Sequence, residues 1–461
     1  VAFGMIGASL SGITFISIPG SVAKFSNELG LVPSDQFSYM QMVFGYFFGY
    51  IIVAFVLLPI YYKINLTSIY GYLKERFGNW SYKTGSAFFL LSRLTGASIR
   101  LLLVSSVLQL ILFDEIGIPF ELTVVTSVLL IWIYTNRGGI KTIIWTDTLQ
   151  TFFMLAAVIT TVYLIGNNLN LKEKTGFINE INQSGFSKIF YFENWHDSNY
   201  FWKHFLGGIF ITIGMTGLDQ DMMQKNLSCK NLNESKKNIF VFSFFLFVVI
   251  FLFMILGVLL ATFAQNNSVV SNGDMLFSDI AINHSLGWAI KYSFVLGLIA
   301  ATISSTDSSI TSITTSFSID IFKIEKLKNQ EKYRKFTHIL TCFLIWFIVV
   351  FANNFLVNEN LIEDFLFFVV YIYGPLLGIY ILGIFTKLKI SEKLVPLIFV
   401  LSPVLSYFIQ SYTKKLIGFD FGYSIIAVNG IISLVLFIMS GFVLPLNKCT
   451  SPSKSTSESS Q

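Results

Sequence analysis

The sequence predicts an all-α polytopic membrane protein, and three observations carry that prediction. Of its 461 residues 54% are hydrophobic and 16% aromatic, with 49 Phe, while only 12% are charged; soluble domains carry about 25% charged residues. The apolar residues gather into about twelve runs long enough to cross ~30 Å of hydrocarbon at 1.5 Å per residue. Basic residues alternate with those runs: 21 of the 31 Lys and Arg fall in one set of alternate loops and the tail, the asymmetry that sets membrane orientation.

In chain order the expected spans are 1–19, 39–60, 82–113, 119–136, 142–166, 201–222, 237–265, 286–320, 337–353, 361–384, 392–411 and 423–445. The longest loops, 167–200, 266–285 and 321–336, are too short to bury a core of their own, so no soluble domain is expected. The last fourteen residues, "KCTSPSKSTSESSQ", are polar and of low complexity and read as a disordered tail. Cys229, Cys342 and Cys449 lie far apart, with no disulfide or metal spacing. The chain opens at Val1 inside an apolar run with no initiator Met, which leads us to expect a preceding piece. The basic loops place both the start of this chain and its C-terminus in the cytoplasm, so the net charge of +5 reports topology rather than nucleic-acid binding.

Ionisable residues at membrane depth are costly and mark function by default. Arg93 and Arg100 fall in the third span, Asp147 in the fifth, Asp219 in the sixth and Asp307 in the eighth. Arg100 needs an anion, carbonyls or a water-filled cavity, and its planar fork suits a carboxylate; an internal pair with Asp219 or Asp307 is the alternative. Asp147 lies about two turns inside its span, placed either to coordinate a cation or to cap its helix. Arg93, nearer the cytoplasmic end, reads as structural.

The first span, "FGMIGASLSGITFISIPG", and the sixth, "FLGGIFITIGMTGLDQDMMQKN", are poor continuous helices. They occupy corresponding positions if the first ten spans form two five-helix halves. Such a matched pair of interrupted helices points to a transporter binding site at the midplane; close packing of glycines is the plainer reading. The eighth span carries "ATISSTDSSITS", in which Ala301, Ser304, Ser305 and Ser308 share one helical face with Asp307 on its flank. That face suits either a hard cation or close packing by back-bonded hydroxyls.

Four stretches together resemble the sodium/solute symporter family, whose members couple sodium to sugars, proline, pantothenate or sialic acid. "GLDQDMMQKNLSCKN" resembles its sixth core helix, "AATISSTDSSITSITTSFSIDIF" the eighth, "WTDTLQ" the fifth and "YYKINLTSIYGYLKERFG" the first inner loop. The resemblance runs in order through essentially the whole chain. It implies a LeuT-type five-plus-five inverted repeat: a first repeat at 1–166, an extracellular loop at 167–200, a second repeat at 201–384, two additional C-terminal spans at 385–447 and a disordered cytoplasmic tail at 448–461. Members normally carry one further helix before the first core helix. By the same resemblance the main sodium site falls on Gly7, Leu10, Ala301, Ser304 and Ser305, and a second sodium site on Asp147, Ser304, Asp307 and Ser308. Asp307 stands where two-sodium members use a hydroxyl. Substrate contacts fall on Ser11, Thr14, Gln41 and Arg100, and Arg100 matches the arginine that holds the carboxylate in sialic acid transporters. Met215 stands at the inner gate, where sugar transporters of the family use a tyrosine.

The function implied is sodium-coupled symport of a small polar solute by alternating access, with a sugar acid such as sialic acid favoured over a neutral sugar. The coupling ion would be Na⁺; the partners would be an anionic or sugar-like solute and the lipid bilayer, with no nucleic acid and the chain acting as a monomer. The expected location is a bacterial inner membrane. A channel would not need paired broken helices, and a sensor would need a signalling domain. An enzyme would need a nucleophile–base or metal constellation, whereas His196, His204, His284 and His338 are scattered at span ends and in loops.

Overall fold

Two short helices at the start of the chain, Ala2–Ser9 (α1) and Gly12–Gly20 (α2), meet at 64°, so the first span is broken as expected. The computed structural model describes all residues except 27–29, 65–67, 115, 136–139, 170–180, 272, 285–286, 325–326, 355–360 and 444–461; the expected tail, 448–461, lies outside the described residues. The break has a local cause. Ser11 caps α2 by accepting from the Thr14 amide at 3.5 Å, and the Thr14 hydroxyl accepts from the Ser11 amide at 3.3 Å, a reciprocal cap that satisfies amides a helix start leaves open.

A hairpin of Ala23–Ser26 (β1) and Gly30–Pro33 (β2), antiparallel with Ala23 opposite Pro33, leads to Tyr39–Ile52 (α3). That helix passes through a wider turn at Val53–Leu57 into Leu58–Ile64 (α4). Gly71–Phe77 (α5), Asn79–Leu108 (α6), Phe120–Thr135 (α7) and Ile140–Asn168 (α8) follow. The sixth span is broken too: Phe201–Thr212 (α9) runs into a wide turn at Ile213–Gly217, and Gln220–Leu227 (α10) restarts after Asp219. Then come Leu232–Asn266 (α11), Met275–Asn283 (α12), Trp288–Ser316 (α13), Gln330–Asn353 (α14), Leu361–Phe385 (α15), Val395–Ile417 (α16) and Ile425–Val443 (α17).

Of the twelve expected spans, nine are continuous apolar helices among the described residues and the tenth is the bent α1–α2 pair. The other two are α7, short at 16 residues, or ~24 Å, and the interrupted α9–α10. The hairpin, α5 and α12 were not anticipated, because short elements at a membrane surface leave no long hydrophobic run.

At the centre, α1 packs on α8 and α13, and α10 packs on α13. On the other side α3 and α9 pack so closely that a Cβ at Gly45 or Gly208 would strike the facing backbone of Phe205 or Met42, the use small residues have in membrane helix pairs. Phe15, Phe253, Phe277 and Phe294 pack edge-to-face and tilted against one another within the core. Phe152, Phe244, Phe343 and Phe442 face outward, where lipid covers them.

Candidate functional site

A cavity of about 110 Å³ lies between the two broken helices. Ser9, Ser11 and Thr14 reach it from the first break, Arg93 and Arg100 from α6, and Met215, Thr216 and Met222 from the second break. Tyr39, Tyr46 and Tyr50 complete it from one face of α3, with the first two hydroxyls 3.1 Å apart. Five sequence-predicted residues, Leu10, Ser11, Thr14, Arg100 and Met215, are thus brought together. The three tyrosines were missed, although their i, i+7, i+11 spacing marks a single helical face.

Gln41 is placed elsewhere, correcting its expected position among the substrate contacts. Its amide nitrogen donates to the Asn199 carbonyl at 2.9 Å and its oxygen accepts from the Tyr191 amide at 3.0 Å. The side chain ties α3 to the 181–200 loop because i+2 from Tyr39 is the opposite face of the helix.

The second break is held shut by hydrogen bonds. Asp219 caps α10, accepting from the Asp221 and Met222 amides at 3.0 and 3.2 Å. Its carboxylate also receives the Arg93 guanidinium through two nitrogens, Nε at 2.7 Å, and the Tyr373 hydroxyl at 2.5 Å. Arg93, not Arg100, is therefore the ion-pair partner of Asp219. The carbonyls freed by the break are satisfied from α4 and its neighbours: Tyr61 donates to Gly217 O and Tyr70 to Leu218 O, each at 2.9 Å. On the opposite side only Tyr39 and Leu366 are shared between the central cavity and a second one lined by Lys24, Asp35 and Tyr423. Burial pushes the Asp35 carboxyl above its ordinary range, with Lys24 pulling it back. The central cavity is therefore closed at the Arg93–Asp219 end by an ion pair and hydrogen bonds, and at the other it adjoins the second cavity at Tyr39 and Leu366.

Next to the cavity, α1, α8, α10 and α13 converge. A Cβ added at Gly7 would lie 2.7 Å from Ser304 Oγ and 3.0 Å from the Asp147 carbonyl, so the last turn of α1 rests directly on α8 and α13. Leu10 N donates to Ile6 O at 2.8 Å, while the later carbonyls of α1 have no place in the helix ladder and sit at its negative end. The hydroxyls of α13 divide into two groups. Thr302, Ser305, Ser309 and Thr314 bond back to carbonyls of their own helix, as the packing reading had it. Ser304 donates to Asp147 Oδ1 at 2.8 Å and Ser308 to Asp221 Oδ1 at 2.6 Å, crossing to carboxylates of other helices.

Lys225, read from sequence as a loop residue, is buried in that cluster, its ammonium 2.7 Å from Asp147 Oδ2. Both side chains are almost wholly excluded from solvent, at 1% and 0% exposed. Asp307 is buried beside them, within reach of the Lys225 charge. Asp221, four residues before Lys225 on α10, also lies 3.5 Å from Arg93. The "DMMQK" spacing is the signal that could have set Lys225 beside the buried Asp221, since i and i+4 share a helical face; nothing local points to Asp147.

The family model described as "Sodium:solute symporter family" matches residues 1–392. The sodium/sialic acid symporter NanT of Aliivibrio fischeri is 27% identical over 396 residues, covering 84% of this chain and 75% of that protein. The sodium-coupled monocarboxylate transporter 1 of Homo sapiens is 26% identical over 247 residues, covering 52% of this chain and 37% of that protein, so the match spans little more than a third of that relative. A solved substrate-bound, outward-open Na⁺-coupled sialic acid symporter superposes with a TM-score of 0.76 at 20% identity, covering 96% of this chain and 89% of that one. Mhp1, a nucleobase-cation-symport-1 family transporter, superposes at 0.56 and 13% identity, covering 95% and 90%; both likenesses speak to the fold. With two broken helices around one cavity and a family match over most of its length, the chain belongs to the sodium:solute symporter family, a sodium-coupled transporter rather than an enzyme.

Proposed function

We propose that the chain imports a carboxylate-bearing, polyhydroxylated solute, a sialic acid first among candidates, with one sodium ion per cycle. The observation that carries the substrate reading is the cavity itself. Arg100 and the positive N-terminal end of α2 line one space, which suits a carboxylate, while the Ser, Thr and Tyr hydroxyls suit a sugar acid's remaining oxygens. The NanT relative, a sodium/sialic acid symporter, agrees with it. Met215, in the wide turn of the broken sixth span, would close the inner side against the solute without a hydroxyl of its own.

Sodium would bind Gly7, Leu10, Ala301, Ser304 and Ser305, joining the exposed carbonyl end of α1 to α13. Because that link spans the two groups of helices expected to rock against each other, sodium would favour the outward-facing state and strengthen solute binding, a reciprocal coupling. The second set, Asp147, Ser304, Asp307 and Ser308, has Lys225 in its midst. A second ion there would have to share the cluster with the Lys225 ammonium, which favours one ion over two. The inverted repeats at 1–166 and 201–384, cytoplasmic placement of this chain's start and end, and a monomer in a bacterial inner membrane complete the reading.

Uptake into sodium-free proteoliposomes placed in sodium buffer tests it. Labelled sialic acid should accumulate only down an inward sodium gradient, and Arg100→Gln should weaken its apparent affinity about 10–100-fold, the loss of a charge-assisted hydrogen bond worth ~1.5–3 kcal/mol. A neutral hexose carried equally well by wild type and Arg100→Gln would refute the carboxylate assignment.

A further inference from the structure

We propose that the seam between α7 and α14 binds an anionic phospholipid, its headgroup at Arg334 and its acyl chain along the groove that follows. A polar cavity of about 260 Å³ opens at the N-terminal end of α14. Gln330, Arg334, Lys335 and His338 line it from α14, and hydroxyls of α13 and Thr135 line it from behind. His338 Nε2 lies 3.2 Å from Thr135 Oγ1 and closes the floor between α14 and α7. Arg334 enters no ion pair among the described residues, and Lys335 meets only the exposed Glu331 at 2.8 Å. The surrounding stretch, 323–335, holds six basic residues and two acidic ones, at the end of the molecule that the Lys and Arg distribution assigns to the cytoplasm.

The same two helices carry a wholly apolar groove directly beyond this cavity. Trp132, one turn before Thr135, and Ile339, next to His338, begin it; Cys342, Phe343 and Trp346 continue it. From Lys335 to Trp346 the path runs eleven residues, ~16 Å at 1.5 Å per residue, enough for most of an acyl chain. The Trp132 indole N–H at the junction is buried and finds no acceptor among the described residues; a glycerol ester carbonyl would lie at that level. A free phosphate could fill the cationic cavity but would leave the groove uncovered. A zwitterionic lipid would fill the groove but bring no net charge to Arg334 and Lys335. An anionic phospholipid satisfies both parts, as basic pockets between membrane helices on the cytoplasmic side do. Because Thr311, Thr314 and Thr315 of α13 line the cavity, the lipid would brace the helix that carries Ser304 and Ser305.

Native mass spectrometry of the purified full chain with phosphatidylglycerol, or phosphatidylcholine of the same acyl chains, tests this. Wild type should retain phosphatidylglycerol in preference, and Arg334→Gln/Lys335→Gln should lose about thirtyfold in that preference, from ~1 kcal/mol per basic residue near an anionic surface. Both side chains are exposed, so the fold should survive their replacement. Ile339→Trp, at another exposed position, should block the groove and weaken retention with both charges in place. Equal retention of the two lipids, undiminished retention by either variant, or displacement by soluble glycerol phosphate would each overturn the proposal.

Discussion

Ser305 shows how one hydroxyl can serve two ends. It donates to the Thr302 carbonyl at 3.1 Å, so its rotamer is held before any ion arrives, while the backbone carbonyl of Ser305 accepts from the Ser309 hydroxyl at 2.8 Å. Ser305→Ala should leave a folded protein, because only a back-bond within one helix is lost. Sodium affinity should fall on the order of tenfold or more, the scale of a hydrogen bond to a charged group, read as a reduced sodium-dependent rise in melting temperature. An unchanged sodium response would remove Ser305 from the main site. Asp147 lives under a different constraint: with Lys225 2.7 Å away and neither group exposed, each charge is tolerable only because of the other.

The elements that matter most are the two interrupted spans, and their breaks are sealed by different means. The first uses its own residues, the reciprocal Ser11–Thr14 cap. The second borrows from the rest of the fold: Arg93 of α6, Tyr373 of α15 and Tyr61 of α4 all bond to the backbone or side chain around Asp219. The prediction at this scale is a difference between two variants. Asp219→Asn leaves Arg93 buried without its main counter-charge and should destabilise by about 3–5 kcal/mol, whereas Tyr373→Phe removes one hydrogen bond and should cost about 1 kcal/mol. Thermal melts of the two in the same detergent would decide it; equal losses would mean that the break is not held by charge.

For the whole molecule the decisive quantity is the charge moved per cycle. One sodium carried with a monocarboxylate moves no net charge, so the ~2.3 kcal/mol that 100 mV supplies per charge is lost to the transporter. A tenfold sodium gradient then supplies ~1.4 kcal/mol and supports about tenfold accumulation, whatever the membrane potential. Imposing an inside-negative potential on proteoliposomes at a fixed sodium gradient should therefore leave sialic acid accumulation unchanged. A rise of about fiftyfold at 100 mV would show a second sodium, and with it that Lys225 shares its cluster rather than filling it.

The sequence alone determined the class, the spans with ends off by up to seven residues, both breaks and the hydroxyl face of α13. Each of these is written in local terms: hydropathy over one membrane thickness, glycine and proline inside a run, or a 3.6-residue repeat. Ser11, Thr14, Arg100 and Met215, all at or beside features that sequence marks, line one cavity. Only the tertiary structure decided the pairings. Arg93 took Asp219, Lys225 took Asp147, and Gln41 turned away to the 181–200 loop. Which buried charge meets which depends on the angle and height at which separate helices cross. That geometry arises from packing between segments up to 158 residues apart in the chain, and no local pattern encodes it.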